Sequence, residues 1–215
     1  MLKFTLFGFP VTIHWMFWVV TALLGGGLDA KSPLDFQGVF VWIAACFISI
    51  IVHELGHTFV MRHFGSRPSI MLYGFGGLAS ANAHWTRWQQ IQVSLAGPFF
   101  GLILGLICWQ VNAMSKNDPW LVAKFLHDMI WINIAWSLIN LLPVLPLDGG
   151  RIMDAVLGGG RKPIIIGIVT AAAVAAYFFM VWHSIYNAFL FVMLAVQNFQ
   201  RLQSNPAPWW PGMGR

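Results

Sequence analysis

The sequence predicts an all-α polytopic membrane protein with six transmembrane helices and a small membrane-associated β-hairpin between the second and third helices. Of its 215 residues, 58% are hydrophobic and only 9% are charged, and the mean hydropathy is +0.71. Soluble domains carry about 25% charged residues. The apolar segments are long and continuous, which favours spanning helices over a barrel.

The first half of the chain contains two predicted spanning helices. The first covers roughly 11–28 and ends at the break Gly25-Gly26-Gly27, and the second covers roughly 36–63. His14 lies near the start of the first helix, where a lone histidine is expected to make structural hydrogen bonds. A metal or gating role for His14 is the alternative.

Residues 66–87 interrupt the helical pattern, because glycines are frequent from Gly74 to Gly77. Two short extended pieces flanking these glycines predict a small hairpin. The alternative is a flexible connector. The edge of such a hairpin would offer unpaired backbone N–H and C=O groups to an extended peptide.

Four more spanning helices are predicted at roughly 88–112, 120–141, 164–182 and 185–200. Residues 1–202 are therefore expected to form one transmembrane core. Residues 203–215 are rich in proline and are expected to form a tail in the cytoplasm.

The segment between the fourth and fifth predicted helices carries two prolines and an acidic residue. Pro143 and Pro146 end the helix and favour extended backbone. Asp148-Gly149-Gly150 is then expected to turn the chain, since Asp-Gly is a common turn pair. Simple turn chemistry is therefore the alternative to a functional role for Asp148.

Cys46 and Cys108 lie inside apolar segments, where they are expected to be small buried side chains and not a disulfide. The net charge is +5, but the sequence has no basic run, so nothing favours nucleic acid as a partner. The expected surroundings are a lipid bilayer. The sequence makes no prediction of the oligomeric state.

The residues with the clearest chemistry lie in the second helix, at His53-Glu54-Leu55-Gly56-His57. His53 and His57 are one turn apart on one helix face, so both imidazoles can reach one zinc ion. Glu54 follows His53 directly, where it can take a proton from a bound water. Gly56 lets another element come close. The alternative is a buried His-Glu-His cluster, but ionisable groups are costly to bury in lipid and are usually functional there.

The distribution of Lys and Arg predicts the orientation in the membrane. Of the 12 such residues, three fall on the side opposite the termini, namely Lys31, Lys116 and Lys124. The positive-inside rule therefore places both termini in the cytoplasm, as expected for a multi-pass protein of the cell membrane. The end of the second helix and Asp148 both fall on the cytoplasmic side, as a shared metal site requires.

These motifs make the chain resemble the site-2 protease family of intramembrane zinc metalloproteases. The resemblance rests on His53-Glu54-Leu55-Gly56-His57 and on the run from Asn140-Leu141-Leu142-Pro143 to Leu147-Asp148-Gly149. Gly76-Gly77 and Ala96-Gly97-Pro98 also match. The opening, from Phe9-Pro10-Val11 to His14-Trp15, is similar to short bacterial members, which implies a form without the PDZ domain or CBS pair of many relatives.

The resemblance implies a role for each of the matched residues. One Zn²⁺ per chain would be held by His53, His57 and Asp148, with a water that Glu54 activates as general base. Substrate would be bound at the 70–84 hairpin and the segment after the fourth helix, through Asn140, Gly76, Gly77 and Pro143. Asp148 is preferred to Asp154 as the third ligand, because the prolines make its segment extended and able to turn back.

The resemblance also implies the reaction. The chain would be a zinc endopeptidase that hydrolyses peptide bonds within or next to the transmembrane segments of membrane-anchored proteins, as in regulated intramembrane proteolysis. One alternative is a membrane transporter whose histidines line an ion pathway. The other is a catalytically inactive scaffold that binds such proteins without cutting them.

Overall fold

The structure is a computed structural model, and it describes residues 1–74, 76–81, 83, 85–115 and 118–204. These residues form two compact units. Unit 1 comprises Met1–Asn82 with Ala96–Ser137, and unit 2 comprises Ala83–Leu95 with Leu138–Arg215. Of the predicted proline-rich tail, residues 205–215 lie outside the described part of the chain.

The elements of unit 1 come from both of its segments. In chain order they are β1 (Leu2–Leu6), β2 (Phe9–Ile13), α1 (Trp15–Leu24), α2 (Pro33–His63), β3 (Ser69–Tyr73), β4 (Gly76–Ser80), and most of α3 (Arg87–Met114) and α4 (Trp120–Asn140). Unit 2 contains the remaining ends of α3 and α4. It adds α5 (Asp148–Leu157), α6 (Arg161–Met180) and α7 (Ile185–Gln203).

A four-stranded mixed sheet with the order β1-β2-β3-β4 lies in unit 1. The β3 and β4 strands pair antiparallel, which confirms the predicted hairpin. Strands β1 and β2 were not predicted; they pair antiparallel with each other, and β2 also pairs in parallel with β3. Because strand order in the sheet ends at β4, this strand is an edge of the sheet.

The prediction of one helix over 11–28 is wrong. Residues Phe9, Val11 and Ile13 alternate with Pro10 and Thr12, and the three apolar side chains are buried on one face of β2. This period of two is that of a strand. The helix that follows, α1, has only 10 residues.

His14 acts as a structural residue at the start of α1. Its Nδ1 accepts a hydrogen bond from the backbone N–H of Met16 at 3.2 Å, which caps the helix. Its own backbone N–H donates to the Leu72 carbonyl of β3 at 2.8 Å. The predicted structural role of His14 is therefore confirmed.

Among the described residues, three helices are long and apolar enough to cross a membrane: α2, α3 and α6. The count of six spans is not confirmed. Helix α4 has 21 residues, but Lys124, His127 and Asp128 make it less apolar. Helix α1, with 10 residues, is too short to span a bilayer. The polar residues Asn198, Gln200 and Arg201 likewise interrupt the apolar run of α7.

The sheet packs against α2 at the start of the His-Glu-x-x-His motif and in the turn before it. Its buried side chains join Phe17 of α1 and three residues of α2 in one apolar cluster, which comprises Phe9, Val11, Ile13, Phe17, Ile50, Ile51, Leu55, Ile70 and Leu72. Arg62 secures the turn between β1 and β2, because its Nη1 donates to the Phe7 carbonyl at 2.9 Å. The Arg62 guanidinium also lies 4.4 Å from the centroid of the Phe9 ring.

Helices α2 and α3 approach closely at Gly56. A Cβ built on Gly56 would lie 2.5 Å from the carbonyl oxygen of Ala96, which belongs to the backbone of α3. The expectation that Gly56 lets another element come close is confirmed. Small residues of this kind allow two helix backbones to pack without intervening side chains.

We expect Gly56→Ala to lower the free energy of unfolding by about 1–3 kcal/mol, because a backbone oxygen cannot move aside as a side chain can. Gly38→Ala on the same helix is the matched control. Its Cβ would lie 3.3 Å from the Cε of Lys124, which is flexible, so we expect it to be neutral or stabilising. Unfolding in mixed micelles measures both, and equal midpoints for the two variants would refute the prediction.

A second cluster of unit 1 joins α2, α3 and α4. It includes Cys46 and Cys108, both of which are buried free cysteines, as predicted. A buried polar contact lies beside it, where Asn133 Nδ2 donates to Ser49 Oγ at 2.8 Å. This hydrogen bond links α4 to the turn of α2 immediately before His53.

Unit 2 is built on the packing of α6 against α7. Their apolar faces enclose Val144 from the segment between α4 and α5, and the cluster of buried residues comprises Val144, Ala171, Ala175, Phe191 and Leu194. The predicted turn at Asp148-Gly149-Gly150 is wrong, since these residues form the first turn of α5. An acidic residue is favourable there, because its charge opposes the positive end of the helix dipole.

Candidate metal centre

Two imidazoles from α2 face the same point in unit 1. The Nε2 atoms of His53 and His57 are 3.2 Å apart, and their ring centroids are 4.9 Å apart. Both residues are 4% exposed. Their spacing of four residues places them one turn apart, so the predicted common face of the two histidines is confirmed.

The space in front of these two nitrogens is kept open by Gly97 of α3. A Cβ built on Gly97 would overlap the Nε2 of His57 and would also meet the Nε2 of His53. A helix backbone therefore comes up to the ligating atoms with no side chain between them. A side chain as small as a methyl group would therefore collide with both imidazole nitrogens.

Glu54 lies on the next position of α2 and is covered by β4. Its side chain is 5% exposed. A Cβ on Gly77 would lie 2.5 Å from Glu54 Oε1, so the strand backbone passes directly over the carboxylate. The predicted general base and the predicted substrate-binding glycine are thus brought together within unit 1.

Gly76 begins β4 with φ of +133°, which L side chains rarely adopt. A Cβ there would lie 3.3 Å from Cζ2 of Trp136 on α4. Gly76 and Gly77 thus allow the edge strand to lie against both α2 and α4 with no side chains in between.

Asp148 is buried at the start of α5 in unit 2. The two glycines that follow it pack on the backbone of the preceding segment. A side chain on Gly149 would overlap the Leu141 carbonyl, and one on Gly150 would come within 2.5 Å of the Val144 carbonyl oxygen. Residues 141–150 therefore form one compact piece, and Asp148 is held at its end.

Other residues predicted from the resemblance lie nearby in unit 2. Asn140 is the last residue of α4 and is buried, and Pro143 lies in the segment that follows. Asp154, the alternative third ligand, lies in the second half of α5 and interacts electrostatically with Arg201. Their roles stay predictions.

The donor set fits zinc. Three buried side chains, His53, His57 and Asp148, could serve as metal ligands. Two imidazoles and one carboxylate form a common catalytic zinc set, which leaves a position for water or substrate. The open space beside Gly97 agrees with this chemistry.

Two residues without an individual predicted role lie near the candidate ligands or their segment. Gly97 was expected only to match the family at Ala96-Gly97-Pro98, and its approach to the histidines follows from helix packing. Asn198 of α7 bonds the Leu145 carbonyl across 53 positions of sequence. The sequence offered one signal for Asn198, since a polar residue within an apolar helix usually has a specific partner.

The model of peptidase family M50 matches residues 41–123 and 113–183. A putative zinc metalloprotease from Synechocystis is 33% identical over 178 residues, which cover 75% of this chain and 46% of that protein. A zinc metalloprotease from Methanocaldococcus jannaschii is 27% identical over 158 residues, which cover 72% of this chain and 44% of that protein. The chain therefore spans less than half the length of these two relatives.

A putative zinc metalloprotease from Mycolicibacterium smegmatis, Rip2, is 30% identical over 184 residues, which cover 65% of this chain and 68% of that protein. Among solved structures, the site-2 protease from Methanocaldococcus jannaschii matches with a TM-score of 0.66 and 22% identity over 94% of each chain. This likeness shows a shared fold. The chain is a membrane protein that belongs to peptidase family M50, the site-2 protease family.

Proposed function

We propose that this chain is an intramembrane zinc endopeptidase, which hydrolyses peptide bonds within or next to the transmembrane segments of membrane-anchored proteins. The observation that carries the proposal is the His53–His57 pair, with Glu54 beside it beneath β4. A metal transporter would have no use for a carboxylate between two zinc-spaced histidines. The family membership supports a metalloprotease.

His53, His57 and Asp148 would hold the zinc ion. A bound zinc ion supplies a Lewis acid that polarises the scissile carbonyl and acidifies a water molecule. Glu54 accepts the proton of this water at its carboxylate and then passes it to the nitrogen of the leaving amine. The burial of Glu54 beneath β4 keeps its carboxylate in a fixed place for both transfers.

A substrate helix must unwind before its peptide bond can be cut, since its backbone groups are hydrogen-bonded to each other. The edge strand β4 offers replacement hydrogen bonds to an extended peptide. Gly76 and Gly77 present the backbone of this edge without bulky side chains. We assign Asn140 and Pro143 to substrate positioning on the resemblance.

The proposed setting is the cytoplasmic membrane, with both termini in the cytoplasm. With the spans expected from the sequence, nine of the 12 Lys and Arg residues fall on the side of the chain ends. Water would then reach the zinc ion from the cytoplasm, and the partner would be a single- or multi-span membrane protein.

Metal removal tests this function directly. We expect the purified chain in liposomes to cleave a co-reconstituted single-span protein, to stop cleaving it after treatment with 1,10-phenanthroline, and to recover when Zn²⁺ is restored. Mass spectrometry locates the cut, which we expect within or beside the spanning segment. Cleavage that survives complete loss of zinc, or a cut confined to distant soluble parts, would contradict the proposal.

A further inference from the structure

Asn198 is a buried amide within the otherwise apolar packing of α6 and α7. Its side chain is 2% exposed. Its Nδ2 donates to the carbonyl oxygen of Leu145 at 2.6 Å and to that of Leu194 at 2.8 Å. The second bond is within α7, but the first reaches the segment between α4 and α5. Asn198 therefore joins a long helix to an irregular segment of backbone.

This segment is held by its own backbone hydrogen bonds and by burial. The N–H of Val144 donates to the Leu142 carbonyl at 2.7 Å, and the N–H of Leu147 donates to the Val144 carbonyl at 2.8 Å. Val144 and Leu145 are buried. Gly149 and Gly150 also pack on this backbone, as described above. The Leu145 carbonyl and Asp148, three residues further on, therefore belong to one closely packed segment.

Gly167 of α6 completes the packing around this amide. A Cβ on Gly167 would lie 3.2 Å from Asn198 Oδ1 and 3.4 Å from the Pro143 carbonyl oxygen. The absence of a side chain at Gly167 lets α6, α7 and the segment carrying Pro143 meet at one point. A methyl group there would press on the amide and on the backbone that the amide holds.

We infer that Asn198 is a positioning residue, which fixes the backbone ahead of Asp148 and thereby sets the affinity of this chain for zinc. The inference rests on the proposed function, because it takes Asp148 as the third ligand. Asn198 does not touch the metal. It acts through the Leu145 carbonyl, so α7 and the metal centre are coupled: a movement of α7 along its axis displaces the carboxylate.

The test is zinc binding by two variants of the full chain in detergent. Asn198→Leu has nearly the same size but no polar group, and Asn198→Asp keeps the shape while its carboxylate has no N–H to donate. We expect both to weaken zinc affinity by about 10- to 100-fold, as loss of a group that orients a ligand commonly does. Competition with a chromophoric chelator measures the affinity, and the visible absorption of the Co²⁺-substituted protein reports a changed ligand geometry.

Asn187→Leu is the matched control, since Asn187 lies on the same helix but is exposed and bonds only Ser184 among the described residues. It should keep the wild-type affinity and spectrum. Should Asn198→Leu fail to fold by circular dichroism and gel filtration, Gly167→Ala provides a second disturbance of the same contact, with the same expected loss.

Two outcomes separate this inference from the proposed function. If Asp148→Asn loses zinc but both Asn198 variants keep the wild-type affinity and Co²⁺ spectrum, the positioning role is wrong and the ligand assignment stands. If Asp148→Asn itself keeps the wild-type affinity, the ligand assignment fails and the inference falls with it.

Discussion

Glu54→Gln is expected to lower the rate of peptide cleavage by at least about a hundred-fold while the zinc content per chain stays unchanged, because a group that acts only in proton transfer is removed. Gln has nearly the shape of Glu but cannot accept the proton of the attacking water. The side chain lies beneath Gly77, where there is no room for a new arrangement. Single-turnover cleavage of a co-reconstituted membrane protein measures the rate, and metal analysis measures the zinc.

Asp29→Asn provides the control for loss of one negative charge. Asp29 is exposed and lies just before the N-terminus of α2, whereas the motif lies in the later half of that helix. This variant should cleave at the wild-type rate. If Glu54→Gln retained more than a tenth of the wild-type rate at full zinc occupancy, Glu54 would not be the general base.

Gly97→Ala is expected to lower the affinity for zinc by about 10- to 100-fold and to abolish cleavage at limiting zinc. The added methyl group would occupy the space in front of the Nε2 atoms of His53 and His57. The imidazoles must then rotate away or α3 must move, and either change separates the ligands. Zinc stoichiometry after dialysis at fixed free Zn²⁺ measures the effect.

Gly105→Ala on the same helix is the control for overpacking. It tests whether an added methyl group on α3 weakens zinc binding even where it is far from the histidines. Its Cβ would lie 3.2 Å from the Cβ of Asn133 and 3.3 Å from Cγ1 of Ile134, which is tight but distant from the histidines. We expect a lower unfolding midpoint with normal zinc content. Equal zinc binding by Gly97→Ala and the wild type would show that the approach of α3 does not limit the site.

At three glycines, the backbone comes close to polar atoms of other elements with no side chain in between. Gly56, Gly77 and Gly97 each face an oxygen or nitrogen atom of another element at a distance that forbids a Cβ. We expect Gly56→Ala to lower the stability of the fold and Gly97→Ala to weaken metal binding. The difference follows from what each glycine faces, a backbone carbonyl in one case and the ligating nitrogens in the other.

The sequence by itself determined the features that depend on local spacing. The spacing of four positions from His53 to His57 places both rings on one helix face, whatever surrounds the helix. Glycines after Tyr73 predict the β3–β4 hairpin, and the long apolar runs predict α2, α3 and α6, which are long and apolar enough to cross a membrane. Each of these signals lies within one element or one turn of the chain.

Only the tertiary structure decided the features that depend on distant partners. The last three residues of β2 were included in a predicted helix because the alternation of β2 covers only five residues, and its parallel partner β3 lies far along the chain. The Leu145 carbonyl meets Asn198 across 53 residues, and Gly97 meets the histidines by packing of two helices. Contacts of this kind leave no local period in the sequence, because the energy of a nonlocal contact depends on which surfaces the folded backbone brings together.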